Sequence, residues 1–186
     1  MTLSMLKLRK AGRLILEALG EDVNRVGLVG TPDRFARLWE AFIQEKEPEC
    51  TAFDEPHDAI IARRCQFLSM CEHHLVPFSG SAYIAYLPGD LILGMSKLDR
   101  IVKYFAGRIQ LQERLTDQIA EFIDKKIEPR GIMVQTVAVH YCAEFKNLPG
   151  NFTISKVMGL MKTNPDTRRE ALDLFRTLRE EASKKI

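Results

Sequence analysis

The chain has 186 residues, of which 46% are hydrophobic and 28% are charged, and its formal net charge is +2. These values are typical of a globular protein, and the small charge excludes a broad nucleic-acid surface, so any anion binding has to be local. No stretch approaches the roughly 20 apolar residues of a membrane span, and the N-terminus favours an amphipathic helix over a cleaved signal peptide. We therefore expect a cytoplasmic protein with neither a nucleic-acid nor a membrane partner.

The N-terminal part of the chain is predicted to be helical. A first helix is expected from Met5 to Leu19, and a second begins in GTPDRFARLWEAF, with Thr31 as its N-cap and Pro32 as its first helical residue. The chain is too short for two ordinary domains. We predict a helical extension followed by one main domain, at residues 1–50 and 51–186.

Strands are predicted in the middle of the chain. After a polar loop at 45–56, short extended segments are expected near 65–70, 81–87 and 91–95. The turn sequence Pro-Gly-Asp at 88–90, between the last two segments, favours an antiparallel meander.

Two consecutive helices are predicted next, and then strands return. The first helix has apolar residues at the spacing of one buried stripe, namely Leu98, Ile101, Val102 and Phe105. The second has the same kind of stripe and ends near Pro129. The remaining predicted elements are a long strand, a shorter strand and a closing helix, at 132–142, 152–157 and 165–182.

Cysteine and histidine residues form two clusters in the sequence. Cys71 lies in Cys-Glu-His-His with His73 and His74, and Cys142 lies in His-Tyr-Cys with His140. In a reducing compartment such cysteines are metal ligands, nucleophiles or core residues rather than disulfides.

The spacing within the clusters is compatible with one metal ion. Cys71 and His74 are three residues apart, as in many zinc sites, and alternate strand residues would put His140 and Cys142 on one face. The set Cys71, His74 and Cys142 would leave a fourth position open, which is typical of catalytic zinc. The alternative is that each is a core residue, since a lone buried Cys or His usually is.

Several long motifs resemble the GTP cyclohydrolase I family. They are GTPDRFARLWEAF, CEHHLVPFSG, YIAYLPGD, GMSKLDRIVKYFAGRIQLQERLTDQI and VAVHYC, in that order, and they extend over about Gly27 to Cys142. The resemblance implies hydrolytic opening of the guanine imidazole ring of GTP at C8, release of formate, and reclosure to 7,8-dihydroneopterin triphosphate.

The resemblance also assigns roles in catalysis. It implies that Cys71, His74 and Cys142 hold Zn²⁺, which activates the attacking water. His73 and His140 match the proton-transfer positions of the family, and imidazoles suit that role because their ordinary pKa lies near neutrality. Ser96 matches a polar residue that contacts the substrate.

Five cations match positions that bind the triphosphate in the family. Arg34 and Arg37 are one helical turn apart, and Lys97 and Arg100 repeat that spacing at the start of a later helix, where the helix dipole also favours an anion. A solvated basic face is the alternative interpretation of these four. The fifth cation, Lys146, stands where the family has arginine.

Guanine recognition would fall to Gln112 and Glu113. A carboxylate can accept hydrogen bonds from the N1–H and 2-amino groups of guanine, which adenine does not offer together. Glu113 is alternatively an acidic residue favoured in the first turn of a helix.

The fold that the resemblance implies is the α+β tunnelling fold, an antiparallel sheet with two helices packed on one side. The predicted order of strands, helices and strands is compatible with it. Related enzymes join their sheets edge to edge into a barrel and stack two pentamers, so we expect a homodecamer with sites at subunit boundaries.

The segment after His-Tyr-Cys departs from the family pattern. Lys146 and Asn147 replace Arg-Gly, and the segment before Gly159 is shorter by a few residues. Lysine keeps the charge but loses the fork that grips phosphate oxygens in pairs. Two alternatives therefore stay open: a divergent hydrolase of GTP or a related nucleotide with another product, and a non-catalytic pterin-binding regulator.

Overall fold

The computed structural model describes residues 3–43 and 46–184, in two units, Met1–Glu45 and Lys46–Ile186. In chain order the elements are α1 (Met5–Ala18), α2 (Thr31–Phe42), β1 (Ala52–Asp54), β2 (Ile61–Cys71), β3 (Pro77–Leu87), β4 (Leu91–Leu93), α3 (Met95–Ala106), β5 (Ile109–Gln110), α4 (Gln112–Ile127), β6 (Gly131–His140), α5 (Tyr141–Glu144), β7 (Asn151–Gly159), α6 (Leu160–Thr163) and α7 (Pro165–Ser183). Across the described ranges, no helix is both long and apolar enough to cross a membrane.

The N-terminal unit is a pair of helices. Gly12 lets α1 and α2 approach closely, because a Cβ atom there would lie 3.1 Å from Cδ1 of Phe35. The N-cap predicted for α2 is wrong by one residue: Gly30 caps the helix and Thr31 is inside it. The Thr31 hydroxyl accepts a hydrogen bond from the Arg34 side chain at 2.9 Å instead of capping a backbone N–H.

The second unit is built on a five-stranded sheet with the order β5-β2-β3-β6-β7. All neighbouring pairs are antiparallel except β2 with the short β5, which is parallel. Strand β7 lies at one edge of the sheet.

Both faces of the sheet are partly covered. Successive residues of a strand point to opposite faces, so Ile84 and Tyr86 of β3 join one core, and Tyr83 and Ala85 join the other. The first core also contains the apolar stripes of α3 and α4, and the second contains Phe175 of α7. The α+β prediction with two helices on one side of the sheet is confirmed, and α7 packs on the opposite side.

The predicted meander is wrong at its third strand. Strand β4 does not pair with β3 but with β1, in a separate two-stranded sheet with Leu93 opposite Ala52. The reason is that both sides of β3 are occupied, by β2 and by β6. The predicted loop 45–56 therefore contains a strand, and its first residue, Glu45, lies outside the described residues.

The predicted strand 132–142 also ends early. Strand β6 stops at His140, and Tyr141 begins the helical turn α5, which contains Cys142. Strand β6 cannot continue its pairing with β3 much beyond this point. His140 pairs with Phe78, and β3 begins only one residue earlier, at Pro77. Strand alternation therefore does not explain why Cys142 lies near His140.

Candidate metal centre and active site

A cavity of about 240 Å³ lies where four chain segments meet. They are the end of β2, the start of α4, the junction of β6 with α5, and β7. The sheet register brings Cys71 next to Gln110 just before α4 begins. The residues lining the cavity are Cys71, His73, His74, Gln110, Leu111, Gln112, Glu113, His140, Cys142, Ala143, Phe152 and Ile154. Seven of the predicted site residues are thus brought together.

Two thiols and an imidazole converge in this cavity. The ligand atoms of Cys71, His140 and Cys142 all lie within 4.8 Å of one another. Nδ1 of His74 lies 3.9 Å from Sγ of Cys71. Two thiols and an imidazole are donor types that zinc prefers, and the three side chains lie close enough to converge on one ion after a small shift. The group can hold a metal ion, and it includes His140 beside the two predicted cysteine ligands.

The cysteine pair favours a cation electrostatically. Burial, and then the neighbouring Cys71 thiol, raise the pKa of Cys142 above its ordinary value. Two adjacent thiols resist losing both protons unless a cation compensates the charge. Metal binding would therefore release protons from this pair.

The ring of His140 is held on three sides. It stacks on Phe78 with the ring centroids 4.6 Å apart and the planes within 4°, and the edge of Phe152 lies against it at 5.2 Å. Its Nε2 atom lies 2.8 Å from Oε1 of Gln112. The ring is thus fixed before any ligand arrives.

The contacts of Gln112 determine which nitrogen of His140 carries the proton. The amide nitrogen of Gln112 lies 3.2 Å from the carbonyl of Thr136 and 3.0 Å from that of Phe152, and carbonyls only accept hydrogen bonds. Oε1 of Gln112 therefore faces His140, and Nε2 of His140 has to donate to it. Burial lowers the pKa of His140, more than Glu113 raises it, so the ring is neutral at pH 7 with a lone pair on Nδ1.

The two residues predicted to bind guanine are in different settings. Gln112 is 2% exposed, and its amide forms the bonds just described inside the protein. Glu113 is exposed in the first turn of α4 and lines the cavity, and it makes no ion pair with any described residue. Its carboxylate oxygens are available to a ligand.

Glu72 does not line the cavity and is paired with Arg114. Nη1 of Arg114 donates a hydrogen bond to Oε2 of Glu72 at 2.7 Å, which lowers the pKa of the Glu72 carboxyl. Both groups are therefore charged at neutral pH. No sequence pattern indicated this pair, because 42 residues separate its members.

The cavity wall does not include the predicted residues of α3. Ser96, Lys97 and Arg100 lie in the first turns of that helix, and Ser96 and Arg100 are exposed. Within the N-terminal unit, Arg34 donates to the carbonyl of Gly27 at 3.1 Å, and Arg37 pairs with Asp33 at 2.8 Å.

Lys146 lies in the exposed turn that follows α5. The next residue, Asn147, has φ of 55°, in the left-handed region that glycine and asparagine adopt most readily. Asparagine can therefore take the backbone conformation for which a glycine would otherwise be needed.

Sequence reasoning missed the aromatic residues around His140. Phe78 and Phe152 are far from His140 in the chain and come next to it through the pairing of β3 and β7 with β6. Register across three strands is what joins them, and no local spacing encodes it.

Comparisons with known proteins agree with one another. The family model for GTP cyclohydrolase I matches residues 8–176. GTP cyclohydrolase 1 of Sulfurihydrogenibium sp. (strain YO3AOP1) is 42% identical over 175 residues, covering 91% of this chain and 94% of that protein. The enzyme of the same name from Aquifex aeolicus (strain VF5) is 41% identical, covering 91% and 96%. That from Mycobacterium tuberculosis (strain ATCC 25177 / H37Ra) is 45% identical, covering 89% and 87%.

Proposed function

The chain belongs to the GTP cyclohydrolase I family, and on that premise we propose that it is a GTP cyclohydrolase I. Its reaction would open the guanine imidazole ring of GTP at C8, release formate and reclose the product to 7,8-dihydroneopterin triphosphate. The single observation that carries the proposal is the cavity, which is lined by the Cys71, His140 and Cys142 group, by two further histidines and by the carboxylate of Glu113.

We propose that the metal is zinc and that Cys71, His74 and Cys142 are its ligands, with His74 in place of the His140 of the group described above. When bound, zinc would supply an acidified water for attack on C8. Support comes from the donor types and from the short distances of Cys71 to its neighbours. His140 is close enough to be exchanged for His74 as the nitrogen ligand, and metal-bound spectra of the two His→Ala variants would distinguish the sets.

His140 and His73 would move protons during ring opening. A neutral His140 with its Nε2–H bonded to Gln112 has only Nδ1 left to accept a proton, so its role is that of a base at that atom. His73 lines the same cavity and would serve as the second proton carrier.

Glu113 would read the Watson–Crick edge of guanine. Its carboxylate, in the cavity wall and free of ion pairs with described residues, can accept from N1–H and the 2-amino group at once. Gln112 would support this recognition indirectly, because its own amide is bonded within the protein.

The triphosphate would be bound in part by a second copy of the chain. Ser96, Lys97 and Arg100 are not in the cavity wall, and we propose that a neighbouring subunit brings them to the substrate. The open edge of β7 offers a surface for such a neighbour, as edge-to-edge pairing into a homodecamer requires. Lys146, Arg34 and Arg37 would complete the set of cations.

The four free cysteines support a cytoplasmic location.

The test is to incubate zinc-loaded protein with GTP and to measure formate and oxidised, fluorescent pterin together. We expect both products in equal amounts. Formate without pterin would identify a divergent hydrolase of the same nucleotide, and neither product would identify a non-catalytic binding protein. ATP is the control substrate and should give neither.

A further inference from the structure

The Glu72–Arg114 ion pair joins the two halves of the candidate site. Glu72 follows the cysteine that ends β2, and Arg114 follows Glu113 in the first turn of α4. Their side chains are bonded at 2.7 Å and are 31% and 45% exposed. The pair thus connects the turn that carries the metal donors to the helix end that carries the guanine-binding carboxylate.

The backbone hydrogen bonds around the turn do not duplicate the side-chain contact between Glu72 and Arg114. The turn is closed on itself by hydrogen bonds from the Leu75 N–H to the Cys71 carbonyl and from the Cys71 N–H to the Val76 carbonyl. The Glu72 N–H donates to the carbonyl of Gln110 at 3.1 Å, on the strand that precedes α4. These bonds hold the turn to β5, whereas the ion pair reaches past β5 to the helix itself.

We propose that Glu72 and Arg114 are positioning residues that set the distance between the metal group and the Glu113 carboxylate. This inference rests on the proposed function. Glu113 would hold one end of the guanine base, and C8 of the same base would have to lie next to the metal-activated water. The distance between the Glu113 carboxylate and the metal group would therefore determine how well C8 is aligned with that water. A misplacement of about 1 Å can lower a reaction rate about 100-fold without abolishing binding.

The pair also engages the guanidinium beside Glu113 in sequence. Arg114 is bonded to Glu72, and the Glu113 carboxylate makes no ion pair with a described residue. A guanidinium bonded to that carboxylate would compete with the N1–H and 2-amino donors of guanine for the same oxygens.

The experiment is a double-mutant cycle in the full-length, zinc-loaded protein with Glu72→Gln, Arg114→Gln and the double variant. We expect each single variant to lower kcat for GTP about tenfold, with KM changed less than about threefold and zinc content unchanged. The double variant should be no worse than the worse single one, because both singles break the same contact. Asp58→Asn is the matched control: it breaks a 2.8 Å ion pair with Arg130, also distant in sequence and also exposed, and should leave kcat within twofold.

Hydrogen exchange of the metal-free protein gives a readout that is independent of activity. The backbone amides of Glu72 and Leu75 should exchange about tenfold faster in both single variants than in the parent, and unchanged in Asp58→Asn. Equal exchange rates in the parent and both single variants would overturn the inference. So would a kcat within twofold of the parent in the single variants, losses of kcat that add up in the double variant, or loss of zinc from any of these variants. If the parent protein releases no formate from GTP, the proposed function fails, and the exchange rates alone then decide whether the contact restrains the turn.

Discussion

The turn after β2 and the segment after α5, which adjoin the two cysteines of the cavity, differ in exposure and in their resemblance to the family. The turn after β2 starts at Cys71, which is 4% exposed, and it is closed by two backbone hydrogen bonds with Leu75 in the left-handed region at φ of 52°. The segment after α5 is exposed at every residue from 145 to 150, and Phe145 is 77% exposed. Backbone hydrogen bonds hold both segments, but the turn resembles the family closely and the segment 145–150 departs from it. We infer that the chemistry of the site is fixed by the first segment and that phosphate binding can vary through the second.

The largest expected effect comes from removing the thiol of Cys142, which lies in α5 just before the exposed segment. Cys142→Ser should lower kcat with GTP by more than about 100-fold and reduce bound zinc, since loss of a second-shell partner alone costs about 10- to 100-fold. Zinc content and formate release are the measurements.

Cys50→Ser is the matched control for that variant, because Cys50 is also a partly buried free thiol and does not line the cavity. It should keep its zinc and its activity. Full activity in Cys142→Ser would contradict the assignment of this residue to the metal.

A second large effect is expected at the carboxylate of Glu113, which lines the same cavity as the turn after β2. Glu113→Gln should lower kcat/KM for GTP about 10- to 100-fold, because an amide cannot accept two donors from guanine in the same way. The ratio of kcat/KM for GTP to that for ITP, which lacks the 2-amino group, should fall as well.

For Glu113→Gln the control is Glu121→Gln on the same helix, where the carboxylate is paired with Lys156 rather than directed into the cavity. An unchanged GTP to ITP ratio in Glu113→Gln would show that guanine is recognised elsewhere.

The exposed segment offers a smaller effect that would sharpen the comparison. Lys146→Arg should lower KM for GTP about threefold with kcat unchanged, since a guanidinium can bind two phosphate oxygens at once. Steady-state kinetics measure this. Lys162→Arg, on another exposed lysine, should change neither constant, and a KM unaffected by Lys146→Arg would mean that this lysine does not contact the triphosphate.

The smallest effect on activity is expected at Cys65, which lies in the core away from both segments. Burial raises the pKa of this thiol to about 12, so the folded protein keeps a proton that the unfolded chain loses above about pH 9. The free energy of unfolding should therefore fall as pH rises from 9 toward 12, by at most about 1.4 kcal/mol per pH unit from this group. In Cys65→Ala the contribution of this thiol to the fall of the unfolding free energy with pH should disappear. Urea unfolding of both proteins at pH 8 and pH 10 would measure it. An identical slope in both proteins would contradict the prediction.

Local patterns predicted most elements of the fold but not their partners. The stripes of α3 and α4 were visible because Leu98, Ile101 and Ile119 follow helical spacing. The partner of β4 was not visible in the sequence. What excludes β4 from the five-stranded sheet is that β3 already pairs with β2 and β6, and no local pattern shows this. The helix predictions from local periodicity succeeded, whereas the strand alternation extended to Cys142 and the meander that needed the sheet order were both wrong.

The candidate site shows the same division. Cys71 and Cys142 were assigned from residue type and family resemblance, and the structure brings them into one group. The reason given from the strand was wrong, because Cys142 lies in a helical turn. The bonds of Gln112 to Thr136 and Phe152 connect three separate elements, so no window of the sequence could reveal that its amide holds His140.

The uncovered edge of β7 has a consequence for producing this protein. Nine residues, Asn151–Gly159, present backbone groups on their outer side without a proline among them, and such an edge accepts any compatible strand. If the proposed edge-to-edge assembly forms, newly folded chains can also mispair through this edge and aggregate before assembly is complete. Refolding yield should therefore pass through an optimum in chain concentration, low enough to limit mispairing and high enough for assembly to finish first.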